Sequence, residues 1–197
     1  QTQTGVSNEA GIEWHNDWMD TRLTGYILKL ENEINVDPTA FLENINLDST
    51  RHEGLIYEIN VYPLAGLSLG AQYTFTDSTI ESGAFANNDI PLVAEHQLQL
   101  DMNYRFHRFW NLNAEIFMIS ERNAGGDFTG SLSDLDGYAV SNMNLRFDYN
   151  DFFLSARVNN LLDKEYNGSA SVNFFGNVGY FPAPERNYLL SVGYTFD

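Results

Sequence analysis

A chain of 197 residues with a formal net charge of −17 and no cysteine has no disulfide framework and no thiolate site, and its acidity would repel a phosphate backbone, which excludes nucleic acid as a partner. No stretch approaches the roughly 18 uninterrupted apolar residues of a transmembrane helix. That excludes a helical membrane protein but leaves strands, whose apolar signal hides in alternation.

Such alternation recurs from end to end and predicts strands over 9–16, 18–34, 42–62, 67–77, 94–107, 110–122, 137–149, 152–162 and 187–196. Residues 1–8 read as the tail of a preceding element. In the third strand Leu55, Tyr57, Ile59 and Val61 oppose Ile56, Glu58 and Asn60; in the fourth Leu67, Leu69, Ala71, Tyr73 and Phe75 oppose Ser68, Gly70, Gln72 and Thr74. The fifth is the clearest, with Leu98, Leu100, Met102, Tyr104 and Phe106 on one face and Gln97, Gln99, Asp101, Asn103 and Arg105 on the other. Leu145, Phe147 and Tyr149, then Leu154, Ala156 and Val158, continue the apolar face. The last strand presents Tyr188, Leu190, Val192, Tyr194 and Phe196 against Asn187, Ser191 and Thr195.

The connections alternate strictly in length. Tight turns at 15–18, 62–66, 107–109 and 149–151 carry Asn, Asp, Pro or Gly, and long polar loops fall near 35–41, 78–93, 123–136 and 163–186. A soluble sandwich or cup has no reason to alternate in this way. A barrel in a bacterial outer membrane does, with short periplasmic turns and long extracellular loops. Trp14, Trp18, Tyr62, Phe106, Phe109, Trp110, Tyr149 and Phe152 cluster beside the short turns, as an aromatic belt at a membrane–water interface should. Tyr73, Phe75 and Tyr138 make a sparser belt at the other end.

The C-terminal third, with Asn160, Leu161, Asp163, Lys164 and Tyr166, then Pro184, Arg186 and Tyr188 before a terminal aromatic, resembles the end of TonB-dependent outer-membrane receptors. Residues 44–59, 90–106, 125–128 and 135–147 resemble earlier family segments, in family order. The resemblance implies an all-β, transmembrane antiparallel barrel. With about nine strands, residues 1–197 would be the C-terminal portion of a 22-stranded plugged barrel, the plug domain being absent from this chain. It implies the outer membrane of a Gram-negative bacterium and active transport of a scarce ligand, most often a ferric siderophore. It also implies four partners besides that ligand: outer-membrane lipid, the rest of the receptor, an inner-membrane energy-transducing complex and the outer-membrane assembly machinery. The alternatives are a receptor for cobalamin or carbohydrate and a passive small barrel acting as pore or adhesin. A piece of barrel also leaves open edges that lipid does not tolerate, so it must be completed by other segments of the same protein, by another chain, or by closing on itself.

No resident cofactor, metal site or catalytic constellation is expected. His15, His52, His96 and His107 have no metal-pair spacing, and no G-x-S-x-G is present. The loop candidates for ligand contact are Arg122, Asp127, Tyr166, Phe174, Phe175 and Tyr180, though the aromatics read more readily as pinning the loop to the barrel rim. Asp163, Lys164 and Arg186 read as a strand-end polar network. Arg105, Arg146, Arg157, Glu58, Glu115 and Asp101 read as lumen wall facing a plug. Asp127, Asp134 and Asp136 lack the spacing of a calcium loop. Tyr188, Leu190, Val192, Tyr194 and Phe196 look like the family's C-terminal assembly signal, so the chain's end reads as a true terminus; Asp197, after the aromatic, departs from the family pattern.

Overall fold

The computed structural model describes residues 1–36 and 43–196; the expected loop over 35–41 beyond residue 36, the first residue of the expected 42–62 strand, and Asp197 lie outside them. The described residues form eleven strands: β1 (Thr4–Asn16), β2 (Met19–Val36), β3 (Asn44–Leu64), β4 (Leu67–Ser82), β5 (His96–His107), β6 (Trp110–Ile119), β7 (Tyr138–Tyr149), β8 (Phe152–Asn159), β9 (Asn167–Val172), β10 (Val178–Pro182) and β11 (Asn187–Tyr194). Nine of them make one antiparallel sheet in the order β1-β2-β3-β4-β5-β6-β7-β8-β11, and β9 and β10 pair separately. Each neighbour in the large sheet is next in the chain except β11, which returns beside β8 after the β9–β10 excursion. Among the described residues β1 and β11 each have a partner on one side only.

Eight strands stand within a few residues of where the alternation places them, but β1 begins at Thr4, so most of residues 1–8 belong to the first strand and not to the tail of a preceding element. Two further differences are instructive. The segment 163–186, expected as loop, contains the β9–β10 hairpin. Strand β4 runs on to Ser82, well into the expected 78–93 loop, because β3 keeps supplying backbone partners as far as Thr50↔Ile80 and Ser49↔Ser82. Pairing across the sheet overrides the local polarity of that stretch.

The register carries the apolar positions across the sheet in rows, one of them interrupted at Ser141. One row runs Ala71↔Leu100, Leu100↔Ile116 and Ile116↔Ser141; another runs Leu69↔Met102, Met102↔Ala114, Ala114↔Met143 and Met143↔Val158. At the C-terminal edge Leu154↔Val192 and Ala156↔Leu190 complete the same face. A one-residue slip anywhere would turn a strand's apolar set to the other side, so these rows fix the register. The face is not covered by protein: Leu55, Tyr57, Leu69, Tyr73, Ile116, Leu154, Leu190 and Val192 are all exposed. A patch of that extent on a water-soluble monomer would be an aggregation site; on a membrane barrel it is the lipid contact.

The tight turns form for the reasons their residues suggest. In the first, Asn16 Oδ1 accepts from the backbone N–H of Trp18 and of Met19, each at 2.9 Å. In the second, Gly66 takes φ +84°, and a Cβ there would lie 2.8 Å from the Arg105 carbonyl oxygen. The belt residues gather at this end. Trp14, Trp18, Tyr62 and Tyr149 are exposed, Trp110 packs on Phe147 at 4.9 Å between ring centroids, and Phe109 meets Tyr149 edge-on at 5.2 Å.

Buried apolar residues are few and lie toward the long-loop end. Leu47, Ile80, Ile90 and Phe128 form one cluster; Ala124, Leu135 and Ala170 form another. The long loops therefore have small cores of their own and stand as an ordered rim.

Candidate functional site

Three loop segments build the rim. The first, after β4, follows that strand's upper edge: Ile80 donates to the Asn88 carbonyl, Ile90 to Ser78 and Thr76 to Glu95. Residues 91–94 swing away between the last two bonds, and Leu92, at φ +65°, donates to the Asn123 carbonyl of the second segment. Phe85 stacks on Phe128 at 4.9 Å, so the two segments share a core.

In the second segment, Asp127 is 3% exposed. Its carboxylate accepts from Thr129 N and Oγ1, Ser131 N and Leu132 N at 2.9 to 3.3 Å. Burial opposes its charge, but these donors outweigh burial and hold its carboxyl below the usual carboxylate range. Both oxygens are committed to the turn. Arg122 is 8% exposed; its Nη2 donates to the Gly168 carbonyl at 3.0 Å, and its guanidinium lies 5.8 Å from the Tyr138 ring centroid. Tyr138 in turn packs on Tyr166 at 4.2 Å. Two of the sequence candidates, Arg122 and Tyr166, thus share one stack through Tyr138, and burial followed by that neighbour raises the Tyr166 phenol above its ordinary value.

The third segment is pinned at its base. Asn160, at φ +51°, accepts from Lys164 N at 2.8 Å and donates to the Lys164 and Pro184 carbonyls. Asp163 receives Arg186 through the backbone at 3.0 Å and the guanidinium at 2.8 Å. Of the expected strand-end network, Asp163 and Arg186 pair directly, whereas Lys164 joins only through its backbone N–H and carbonyl, which bond Asn160. Above it the β9–β10 hairpin leans on the second segment, Gly125 donating to Ala170 O and Val172 donating to Gly125 O. At the tip, Asn173 Oδ1 accepts from Phe175 N and Asn177 N. This leaves Phe174 and Phe175 68% and 83% exposed, edge to face with each other. Tyr180 is also exposed. The loop aromatics divide accordingly: Tyr166 pins, while Phe174, Phe175 and Tyr180 stand free on the hairpin.

On the inner face, Arg157 pairs with Glu115 at 3.2 Å and Arg146 grips Asp148 with Nε and Nη2 at 2.7 to 3.0 Å. These half-exposed pairs contribute at most about 1 kcal/mol each and leave a polar, hydrated wall. Higher up, His52 bridges Ser78 at 2.8 Å and Glu33 at 3.1 Å, tying β2, β3 and β4 together. Among the described residues no group of three or more His, Cys, Asp or Glu could hold a metal ion.

The feature that sequence reading missed is a cavity of about 350 Å³ between β4 and the first two loop segments, lined by Asp77, Asp89, Glu95, Glu121 and Asp134 with Arg122. Of these only Arg122 and Asp134 stand out in the sequence, because the acids come from separate segments with no shared period.

Residues 1–161 match the family "TonB dependent receptor-like, beta-barrel". The chain belongs to the TonB-dependent receptor family. Its strands accordingly cross the outer membrane of a Gram-negative bacterium, with the short turns periplasmic and the rim extracellular. Among curated relatives it is similar to the vitamin B12 transporter BtuB of Vibrio cholerae, 24% identical over 95% of this chain, and it spans 28% of that protein's length. Among solved structures it is similar to the ferric yersiniabactin uptake receptor FyuA of Yersinia pestis (TM-score 0.83, 14% identity, 99% of this chain and 30% of that one). The ferric-catecholate import receptor Fiu of E. coli K12 is a second such fold (TM-score 0.77, 21% identity, 98% and 28%). At these identities the solved structures establish the fold.

Proposed function

We propose that this chain forms barrel wall and extracellular rim of an active-transport receptor for a scarce ligand, a ferric siderophore. The observation that carries the reading is the combination of an apolar outward face, a hydrated inner wall and an ordered, aromatic-tipped rim in the barrel of this family. Phe174, Phe175 and Tyr180 are the rim groups free to meet an arriving ligand, and Arg122 and Tyr166 form the firm base beneath them. The remaining strands and the plug are supplied from outside residues 1–197. The inner-membrane energy-transducing complex acts through that plug, since the described chain offers only wall and loops. The wall makes and breaks no covalent bond. Cobalamin is the second cargo, favoured by the similarity to BtuB over 95% of this chain.

The test is growth under iron limitation of a strain lacking the full gene, supplied with single ferric chelates. Loss of growth on one chelate, restored by the gene, is expected. Normal growth on every chelate overturns the siderophore reading and turns the assay to cobalamin.

The final strand also serves as the assembly signal. Tyr188, Leu190, Val192, Tyr194 and Phe196 are exposed in one outward line, with Phe196 edge-on to Tyr194 at 4.9 Å. Phe196→Ala in the full-length receptor should lower heat-modifiable barrel several-fold while synthesis is unchanged. Equal amounts of folded barrel from variant and parent would remove this role.

A further inference from the structure

The outward face is not evenly filled. One row of the sheet runs Ala10↔Gly25, Gly25↔Leu55 and Leu55↔Phe75. Its first two members have little or no side chain and stand beside two large ones, so the surface dips there. The dip is a groove of about 530 Å³, with these four residues along it and Glu53 and Asp77 at its upper end. Below it the next row, Ile12↔Leu23, Leu23↔Tyr57 and Tyr57↔Tyr73, is apolar and exposed. The groove is therefore continuous with the surface that meets lipid.

It also stands where that surface ends. One row further from the periplasmic turns the face becomes charged, at Ile27↔Glu53 and Glu53↔Asp77. The row beyond carries two cations side by side, Lys29↔Arg51. They lie about 13 Å above the groove floor at roughly 3.3 Å per residue, the level of a lipid's headgroup when its chain lies below. Arg51 pairs with Glu53, and Lys29 Nζ lies 3.8 Å from Glu81. Apolar below, charged above and open to the membrane, the groove has the polarity of a single lipid molecule.

We propose that this groove is a lipid site, holding one acyl chain of an outer-leaflet glycolipid whose phosphate meets Lys29 and Arg51. Lipid tails are as apolar as leucine, so burial from water cannot favour one chain over its neighbours. Shape can: a chain lying in the groove touches protein on its flanks as well as beneath, and gains dispersion contacts that a chain on smooth wall lacks. The phosphate must share the two cations with Glu53 and Glu81, so its charge-assisted contacts add less than the groove does. The inference rests on the outward face meeting lipid and is independent of the cargo, so growth on ferric chelates does not bear on it.

The experiment uses the full-length receptor, stripped of lipid and kept in detergent. Bis-phosphorylated lipid A is the probe, and native mass spectrometry counts the molecules bound. Gly25→Leu fills the groove. A Cβ at Gly25 meets its nearest neighbours, Leu55 Cδ2 and the Ala10 and Gly54 carbonyl oxygens, at 3.5 to 3.9 Å, so the strand has room for it. The parent should hold its first lipid A molecule distinctly more tightly than later ones, and Gly25→Leu should weaken that first step about five-fold or more. Ala114→Leu enlarges the lipid face away from the groove, in β6, and should leave the first step unchanged. Lys29→Gln with Arg51→Gln should weaken it about three-fold for the phosphorylated probe and not for a dephosphorylated one. No preferred first molecule in the parent, parent-like binding by Gly25→Leu, or an equal loss in Ala114→Leu would each overturn the site. A double variant that binds both probes as the parent does would overturn the phosphorylated glycolipid as its occupant.

Discussion

Gly54→Val is expected to abolish assembly of the barrel, costing about 3 kcal/mol or more through forced backbone movement. Gly54 lies mid-strand in β3 with Tyr26 of β2 on one side and Thr76 of β4 on the other. The Tyr26 hydroxyl reaches across it to Thr76 Oγ1 at 2.8 Å. The glycine leaves the pleat empty, and the tyrosine ring takes that space, which is how sheets offset the weakness of an internal glycine. A Cβ built there would stand 2.0 Å from the Phe75 carbonyl oxygen and 3.0 Å from the Tyr26 hydroxyl oxygen. The first neighbour is backbone in a strand paired on both sides, so it cannot step aside as a side chain can. Gly179→Ala in β10 is the matching control, because its Cβ would meet only the Ser171 carbonyl oxygen at 3.7 Å; it should be neutral or stabilising by up to about 1 kcal/mol through the unfolded chain. Heat-modifiability and thermal melting of the two full-length variants decide the matter. A Gly54→Val receptor that folds and melts like its parent would show that the β3–β4 backbone yields there, and the close approach would lose its significance.

The sequence and the structure agree where lipid imposes a period and part where tertiary contacts do the work. Strand β5 was legible because Leu98 to Phe106 alternate with Gln97 to Arg105, a pattern that a single lipid face enforces on any strand crossing it. The β9–β10 hairpin was not, since β9 is built mostly of small and polar residues, β10 is only five residues long, and the pair leans on Gly125 of another loop. The same holds for the upper half of β4, which stays extended because β3 offers it partners. Among site residues, Arg122 and Tyr166 could be singled out by type, but their shared stack runs through Tyr138, which read only as a belt residue. Asp127 was legible as a loop acid; that both its oxygens serve a turn depends on backbone donors whose direction no composition reveals. The acidic cavity was illegible for a similar reason. Its carboxylates come from β4 and two loops, and only the excursion of residues 91–94 brings them around one space.

The second large effect concerns which face meets lipid, and two adjacent residues settle it. Ala114 lies mid-strand in β6, in the outward row between Met102 and Met143, while Asn113 lies in the inward row between Asn103 and Asn144. Asn113 is already in a polar setting, accepting from Asn103 Nδ2 at 2.6 Å beside Glu115 and Arg157. Arginine at position 114 would project into hydrocarbon near the middle of the band, where such a charge costs about 2–4 kcal/mol. Arginine at position 113 would project into the hydrated wall and cost within about 1 kcal/mol, with Glu115 close enough to offset part of it. Ala114→Leu separates charge from bulk: a larger apolar side chain on a lipid-facing surface has room, so it should assemble like the parent. The expected order of folded, heat-modifiable receptor is therefore parent, Ala114→Leu and Asn113→Arg together, with Ala114→Arg well below. If Asn113→Arg were the one that failed, the two faces would have to be exchanged. The apolar rows would then line an interior, the charged rows would face outward into water, and the chain would be a soluble cup, as its alternation alone would permit.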